Sequence, residues 1–407
     1  MNESEKISIL DRLVSFKSVN DHEKEVALYL RDLLKKYDIE SKIIPFGGDR
    51  ANIVAEIGIG KPVLVVSGHM DVVDVEIDNW KTDPFEMTEI DGKLYGRGTT
   101  DMKSGLAAII IAMIELKQSN KPINGTIRLL ATAGEEVGQK GSENLFKEGY
   151  MEDADSLLIC EPSGYRAVYA NKGELNINLK SVGKAAHSST PSLGNNAIEH
   201  MLNVIEKIRQ TMKEIIPKYH NDILGDTIFN IDIIQGGTQP NAIPGLAEAV
   251  LNIRTIPELS NEDILNAIQH DIDDYNNQSG NGQISMEVEM DIIPIIGDIN
   301  SKIINLVKKI GKPYLKKQNF TPEEIKFHEK VARLTGMPFS TTEIEVMGVS
   351  GGTDASKLLY NRPSDFNYVV FGPGENNAHQ DNEYVTKQMY LDFIDIYKQL
   401  LIEFFEK

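Results

Sequence analysis

Four short apolar runs, each ended by a polar break, constrain this chain more than any other feature of its sequence. They are KPVLVVSGHMD (61–71), TIRLLATAGEE (126–136), DSLLICEPS (155–163) and FNYVVFGPGENNAH (366–379). Runs this short and this uniformly apolar read as strands covered on both faces. Amphipathic helical stretches lie between and around them, the clearest being the apolar stripe Tyr390, Phe393, Ile394, Tyr397, Leu400, Leu401 and Phe404. The expected fold class is therefore α/β, with a doubly wound, mostly parallel sheet. Ligands of such sheets bind at the carboxyl ends of the strands. All four runs deliver His or Glu just past that end: His69, Glu135 with Glu136, Glu161 and, after a longer loop, His379.

At 407 residues the chain exceeds the roughly 250–300 at which one hydrophobic core stops growing, so two domains are expected. The middle of the chain changes character. GELNINLKSVG alternates as a half-wetted strand, a helix follows over about 196–216, and two alternating strands, TIFNIDIIQGG and LAEAVLNIRTIP, come next. A second helix opens near Ser260, where a hydroxyl N-cap precedes first-turn acids, and QISMEVEMDII is the last strand. The order β-α-β-β-α-β is the split, ferredoxin-like arrangement. The expected organisation is thus a discontinuous catalytic domain, 1–173 and 295–407, with a second domain, 174–294, inserted into it. The basic-then-helical segment 308–336 carries no functional reading.

Acidic residues outnumber basic ones 61 to 42, a formal charge of −19, which disfavours a nucleic-acid surface. Cys160 is the only cysteine, so no intrachain disulfide forms and a reducing cytoplasm is expected; within its strand it reads as a small buried residue. The N-terminus has no signal-peptide pattern. The greasiest run, Leu106 to Ile114, is too short for a bilayer, which needs about 18 residues or more, so no membrane partner is expected.

Taken singly, each polar candidate has a structural explanation: His69 as a core histidine, Asp101 as a helix N-cap, Glu135–Glu136 as a solvated turn, Glu161 as a strand exit. Their coincidence at strand ends and one helix start points instead to a shared site. Imidazole and carboxylate without thiolate suits Zn²⁺, Co²⁺ or Mn²⁺. Asp101, Glu136 and Glu161 bring −3, which two divalent cations and one shared hydroxide would balance. Neighbouring side chains in extended backbone point in opposite directions, so Glu136 can bind metal while Glu135 faces the attacking water as general base. A bound divalent cation lowers the pKa of water from about 15.7 to roughly 7, and positioned acid–base catalysis adds on the order of 10²- to 10⁴-fold.

At these residues the sequence resembles the cocatalytic zinc peptidases and deacylases that include acetylornithine deacetylase, succinyl-diaminopimelate desuccinylase and aminoacylase. SGHMDVV, GRGTTDMKSG, ATAGEEVG, CEPS and AHQDNE occur in that family's order, over essentially the whole chain. The resemblance implies a zinc-exopeptidase-type catalytic domain and an inserted lid that also makes a homodimer. It implies that Asp101 bridges two metal ions, zinc first with cobalt or manganese as alternatives, with His69 and Glu161 on one and Glu136 and His379 on the other. Asp71 would orient His69, and Glu135 would be the base. His187 would help hold the oxyanion, and Asn241 would contact substrate.

Two further patches are read as substrate-binding. Arg254 offers a planar fork for a carboxylate, against the plainer reading of a strand-end charge. Gly351 and Gly352 can expose backbone N–H groups to an anion. The expected partner is a small N-acyl amino acid or dipeptide, N-succinyl-diaminopimelate first, which would place the protein in lysine biosynthesis; N-acetylornithine and dipeptides are the alternatives. The chain departs from the usual desuccinylase patterns SDEEG and SGGTSD, reading TAGEEVG and SGGTDAS. A dinucleotide oxidoreductase is excluded because IGIGKPV has Val63 where a third glycine belongs, and SVGKAAHSS lacks the hydroxyl residue of a phosphate loop. A non-catalytic metal carrier is the remaining rival, distinguished by having no use for Glu135.

Overall fold

The four apolar runs form adjacent strands. In the computed structural model, which describes residues 1–279, 283–318, 320–335 and 338–406, Thr126–Thr132, Val63–His69, Ser156–Pro162 and Tyr368–Gly372 lie side by side and parallel. Every residue of the first two is buried, so both faces of the sheet are covered, as apolar runs without alternation require. Helix Lys103–Gln118, which contains the Leu106–Ile114 run, packs on Val63–His69 and Ser156–Pro162 and against the C-terminal helix Lys387–Glu403. The residues of the C-terminal stripe are all buried.

This parallel centre bears out the expected fold class. Its flanks run the other way: Ser41–Gly47 and Arg50–Gly58 form a hairpin that joins Thr126–Thr132 antiparallel, and Ala167–Asn171 pairs antiparallel with Tyr368–Gly372. The first flank is a hairpin closed by a short turn, whereas Ala167–Asn171 pairs with a strand about 200 residues later in the chain. Among the described residues no helix is long and apolar enough to cross a membrane.

Contacts divide the chain into two compact units. One comprises Met1–Ala170, Ile296–Val349 and Thr353–Lys407; the other comprises Asn171–Ile295 and Ser350–Gly352. The second contains a four-stranded antiparallel sheet ordered Ile228–Gly236, Leu246–Thr255, Gly173–Val182, Gln283–Ile292, with helices Ala197–Ile215 and Asn261–Ser279 packed on it. Leu175, Ile177 and Leu179 are buried while Glu174, Asn176 and Asn178 are half-exposed and Lys180 is exposed, the one-faced pattern expected of such a sheet. Asn196 caps the first helix through the N–H groups of Ile198 and Glu199, and Ser260 accepts from the Asp263 N–H at the start of the second. On the first of these helices Leu202 is exposed and Val204 is buried.

Candidate metal centre

Five side chains from five separate segments converge within the first unit. His69 ends its strand, and its Nε2 lies 3.1 Å from Asp101 Oδ1 and 3.3 Å from Glu161 Oε1. His379 Nε2 lies 3.3 Å from Asp101 Oδ2 and 3.0 Å from Glu136 Oε1. Two candidate ligand triads result, His69–Asp101–Glu161 and Asp101–Glu136–His379, and each aspartate oxygen faces a different one. Three ligands apiece leave room for a further group on each cation, the pattern of catalytic rather than structural sites. His69 Nδ1 is 2.9 Å from the carbonyl oxygen of Asp71, which can only accept, so Nδ1 carries the proton and Nε2 is the ligand atom.

The cluster's electrostatics fit cations. Burial alone would lower the pKa of His69, but Glu161 and Asp101 raise it well above the ordinary value. Hydrogen bonds that His379 donates to the Asp101 and Glu136 carboxylates carry its pKa up to about 10. Burial pushes Glu161 up to about 8 against the opposing pull of His69. Asp101 is held well below the usual carboxylate range, because its bonds to His379 and His69 outweigh its burial. So much negative charge gathered around two imidazoles is chemistry suited to divalent metal ions. Glu135 belongs to neither triad. Its pKa is raised well above normal, first by burial and then by the like charges of Glu161 and Glu136, and Gln139 Nε2 donates to it at 3.3 Å.

Two buried carboxylates hold the ligand loops. Asp71 accepts backbone N–H groups from Gly134 (2.8 Å) and Glu135 (3.2 Å) on Oδ1, and from Glu136 (3.1 Å) on Oδ2. Its carboxylate thus grips the loop of the glutamate pair, while its main chain orients His69. Glu383 does the same for the bridging aspartate: its Oε1 accepts N–H groups from Gly98 (3.1 Å), Thr100 (2.7 Å) and Asp101 (2.9 Å), and its Oε2 accepts Arg97 Nη1 at 2.6 Å. Sequence reasoning missed Glu383 and Arg97, although both lie inside the quoted segments AHQDNE and GRGTTDMKSG. Asp101 is not the N-cap of the following helix; Met102 occupies that place. Lys103 Nζ, buried beside Asp71 and Glu383, donates to the Phe16 carbonyl, and burial lowers its pKa to about 7. Cys160 is buried with its thiol pushed up to about 12, an inert packing residue.

The remaining sequence candidates lie in the second unit. His187 and Ala242 are partners in a two-stranded ladder, and the Ser188 N–H donates to the Asn241 carbonyl, so His187 and Asn241 are held side by side. His187 is exposed, its Nδ1 2.7 Å from Ser189 Oγ. Arg254 is ion-paired with Glu174 on the neighbouring strand, which engages the fork that was to receive a substrate carboxylate. Gly351 is exposed, and a Cβ there would meet nothing within 4 Å.

A parallel-centred sheet whose strand ends gather two imidazole–carboxylate triads around a shared aspartate defines a metal-dependent hydrolase. The chain belongs to Peptidase family M20/M25/M40, whose model matches residues 65–403. It is 39% identical over 431 residues to a probable succinyl-diaminopimelate desuccinylase of Staphylococcus epidermidis, covering 100% of this chain and 99% of that protein. It is 32% identical to an acetylornithine deacetylase of Pasteurella multocida over 69% of this chain and 74% of that one. An M20-family metallo-carboxypeptidase from Sulfolobus solfataricus shares the fold, with a TM-score of 0.77 at 20% identity over 98% of this chain and 99% of its own.

Proposed function

We propose that this enzyme hydrolyses the amide bond of N-succinyl-diaminopimelate, releasing succinate and diaminopimelate in lysine biosynthesis. Full-length identity of 39% to a probable desuccinylase carries the substrate assignment. In this reading His69, Asp101 and Glu161 hold one divalent cation, and Asp101, Glu136 and His379 hold the other, zinc first and cobalt or manganese as alternatives. The bound cations supply Lewis acidity, lowering the pKa of water and polarising the scissile carbonyl. Glu135, outside both triads and adjacent to Glu136, takes the proton from the attacking water and returns it to the departing amine. Asp71 and Glu383 keep the loops in register. His187 and Asn241 are assigned to substrate contact, as is the backbone at Gly351 and Gly352; a carboxylate reaching Arg254 must compete with Glu174.

The enzyme is further proposed to work in the cytoplasm as a homodimer joined through the inserted unit. Ile228, Ile233 and Ile234 on the edge strand Ile228–Gly236 are exposed, an apolar edge of the kind that partners cover. Turnover of N-succinyl-diaminopimelate, N-acetylornithine and dipeptides, each with Zn²⁺, Co²⁺ or Mn²⁺, tests the assignment. The succinyl substrate should give the highest kcat/KM; a higher value for N-acetylornithine or a dipeptide replaces it.

A further inference from the structure

Leu315, Phe320 and His328, from the segment 308–336 that the sequence left unexplained, help to build a chamber in the first unit. Leu315, Phe320, His328, Phe339 and Met389 line a small cavity of about 70 Å³ that opens to solvent, with Arg166 on its polar side. The aromatic wall is preassembled: the His328 and Phe339 rings stack at 4.8 Å, and Phe320 meets Phe339 edge-on at 5.9 Å. Its base is anchored, since Gln318 Nε2 donates to Tyr165 Oη (2.8 Å) and Asp392 Oδ2 (3.1 Å).

Arg166 is half-buried, yet it is held only by neutral acceptors: Nε donates to the Ser163 carbonyl at 3.1 Å, and Nη2 lies 3.5 Å from Asn376 Oδ1. No carboxylate forms an ion pair with it among the described residues, although Glu375 is near enough to act through its charge. A partly desolvated guanidinium without an ion pair beside an apolar wall suits an anion carried on a hydrocarbon chain. The chamber also adjoins the metal centre through the backbone. Gly164 follows Glu161 by three residues, at most about 10 Å of chain. Asn376 precedes His379 by three, and the Glu375 N–H donates to Thr100 Oγ1 at 3.3 Å, next to Asp101.

We infer that this chamber is a specificity pocket in which Arg166 receives a substrate carboxylate remote from the scissile amide, with the attached methylenes lying on Phe320, Phe339 and Leu315. The inference rests on the hydrolase reading above and adds the residue that selects among N-acyl substrates, a role the sequence had given to Arg254. The proposed substrate has two sources of such a group, the succinyl carboxylate and the distal carboxylate of diaminopimelate.

Four substrates separate these sources: N-succinyl-diaminopimelate, N-acetyl-diaminopimelate, N-succinyl-norleucine and N-acetyl-norleucine, assayed with the metal-loaded wild type, Arg166→Met and Phe339→Ala. Loss of one charge-assisted contact should lower kcat/KM on the order of 10- to 100-fold for Arg166→Met. The loss should be confined to substrates bearing the recognised carboxylate, and N-acetyl-norleucine should be unaffected. Phe339→Ala should weaken the same substrates. An equal loss on all four, or none on any, overturns the pocket. Calorimetric titration with succinate, diaminopimelate and norleucine keeps the two readings apart. If the wild type fails to cleave N-succinyl-diaminopimelate yet binds one of the dicarboxylates in an Arg166-dependent way, the pocket stands and the substrate assignment falls. If it cleaves that substrate and no binding or turnover depends on Arg166, the reverse holds.

Discussion

Replacing Glu383 tests whether the bridging aspartate is held by its neighbours or holds itself. The side chain is 0% exposed and accepts three backbone N–H groups and Arg97, which is 2% exposed. Glu383→Ala would strand that guanidinium, a loss of roughly 3–5 kcal/mol, and leave three amides short of an acceptor at on the order of 1 kcal/mol each. The sum approaches the whole stability of a typical domain, about 5–15 kcal/mol, so the alanine variant should fold poorly. Glu383→Gln is the informative change. Its single carbonyl oxygen can face the three amides or Arg97, and either choice sets a donor against a donor. Arg97 retains the Gln380 and Asp74 carbonyls at 3.3 Å, which keeps the expected cost to about 2–4 kcal/mol. At roughly 2–4 °C per kcal/mol the melting temperature should fall by about 5–15 °C. Because Asp101 serves both triads, the affinity for each of two cations should drop about 10- to 100-fold in a chelator-competition titration with Zn²⁺. Asp71→Asn, which loosens only the Glu135–Glu136 loop, should weaken one cation more than the other. Wild-type affinity and melting temperature in Glu383→Gln would refute the clamp.

Glu135→Gln should retain both cations by elemental analysis while losing about 10²- to 10⁴-fold in kcat; Asp101→Ala should lose cations and activity together. In the cation-free protein His379 lies at about 10 against about 6.5 when unfolded, so the stability it contributes is full below pH ~6.5 and disappears as pH rises through 10. Melting of the stripped protein should accordingly decline across that window. Cation binding near neutral pH should release protons, measurable by calorimetry in buffers of different ionisation enthalpy. Gly105→Ala should destabilise by roughly 1–3 kcal/mol or more in denaturant titration, because a Cβ there would meet the Cys160 carbonyl oxygen at 2.0 Å and push the helix from the strand that carries Glu161.

The parallel strands and the convergence of His69, Asp101, Glu136, Glu161 and His379 were legible because they depend on local patterns: uniformly apolar runs, and polar residues at their ends. Glu383 was not legible as a clamp, since nothing in its own neighbourhood reveals that its partners are amides some 280 positions away. The ion pair of Arg254 was hidden for a related reason. Its cross-strand partner Glu174 becomes a neighbour only once the register of Gly173–Val182 against Leu246–Thr255 is known. The antiparallel flanks escaped notice because a hairpin strand and a parallel strand of similar burial share one apolar signature. The aromatic wall of Phe320, His328 and Phe339 has no periodicity, and only the folded chain brings the rings together.

The strands at which the chain leaves and re-enters the first unit, Ala167–Asn171 and Ile295–Ile296, are neighbours in the same sheet. Adjacent strands stand about 4.8 Å apart, so everything between them hangs from two nearly touching ends. For the enclosing unit this excursion amounts to a surface loop. Excising it and sealing the gap with a few residues should leave a foldable, cation-binding core.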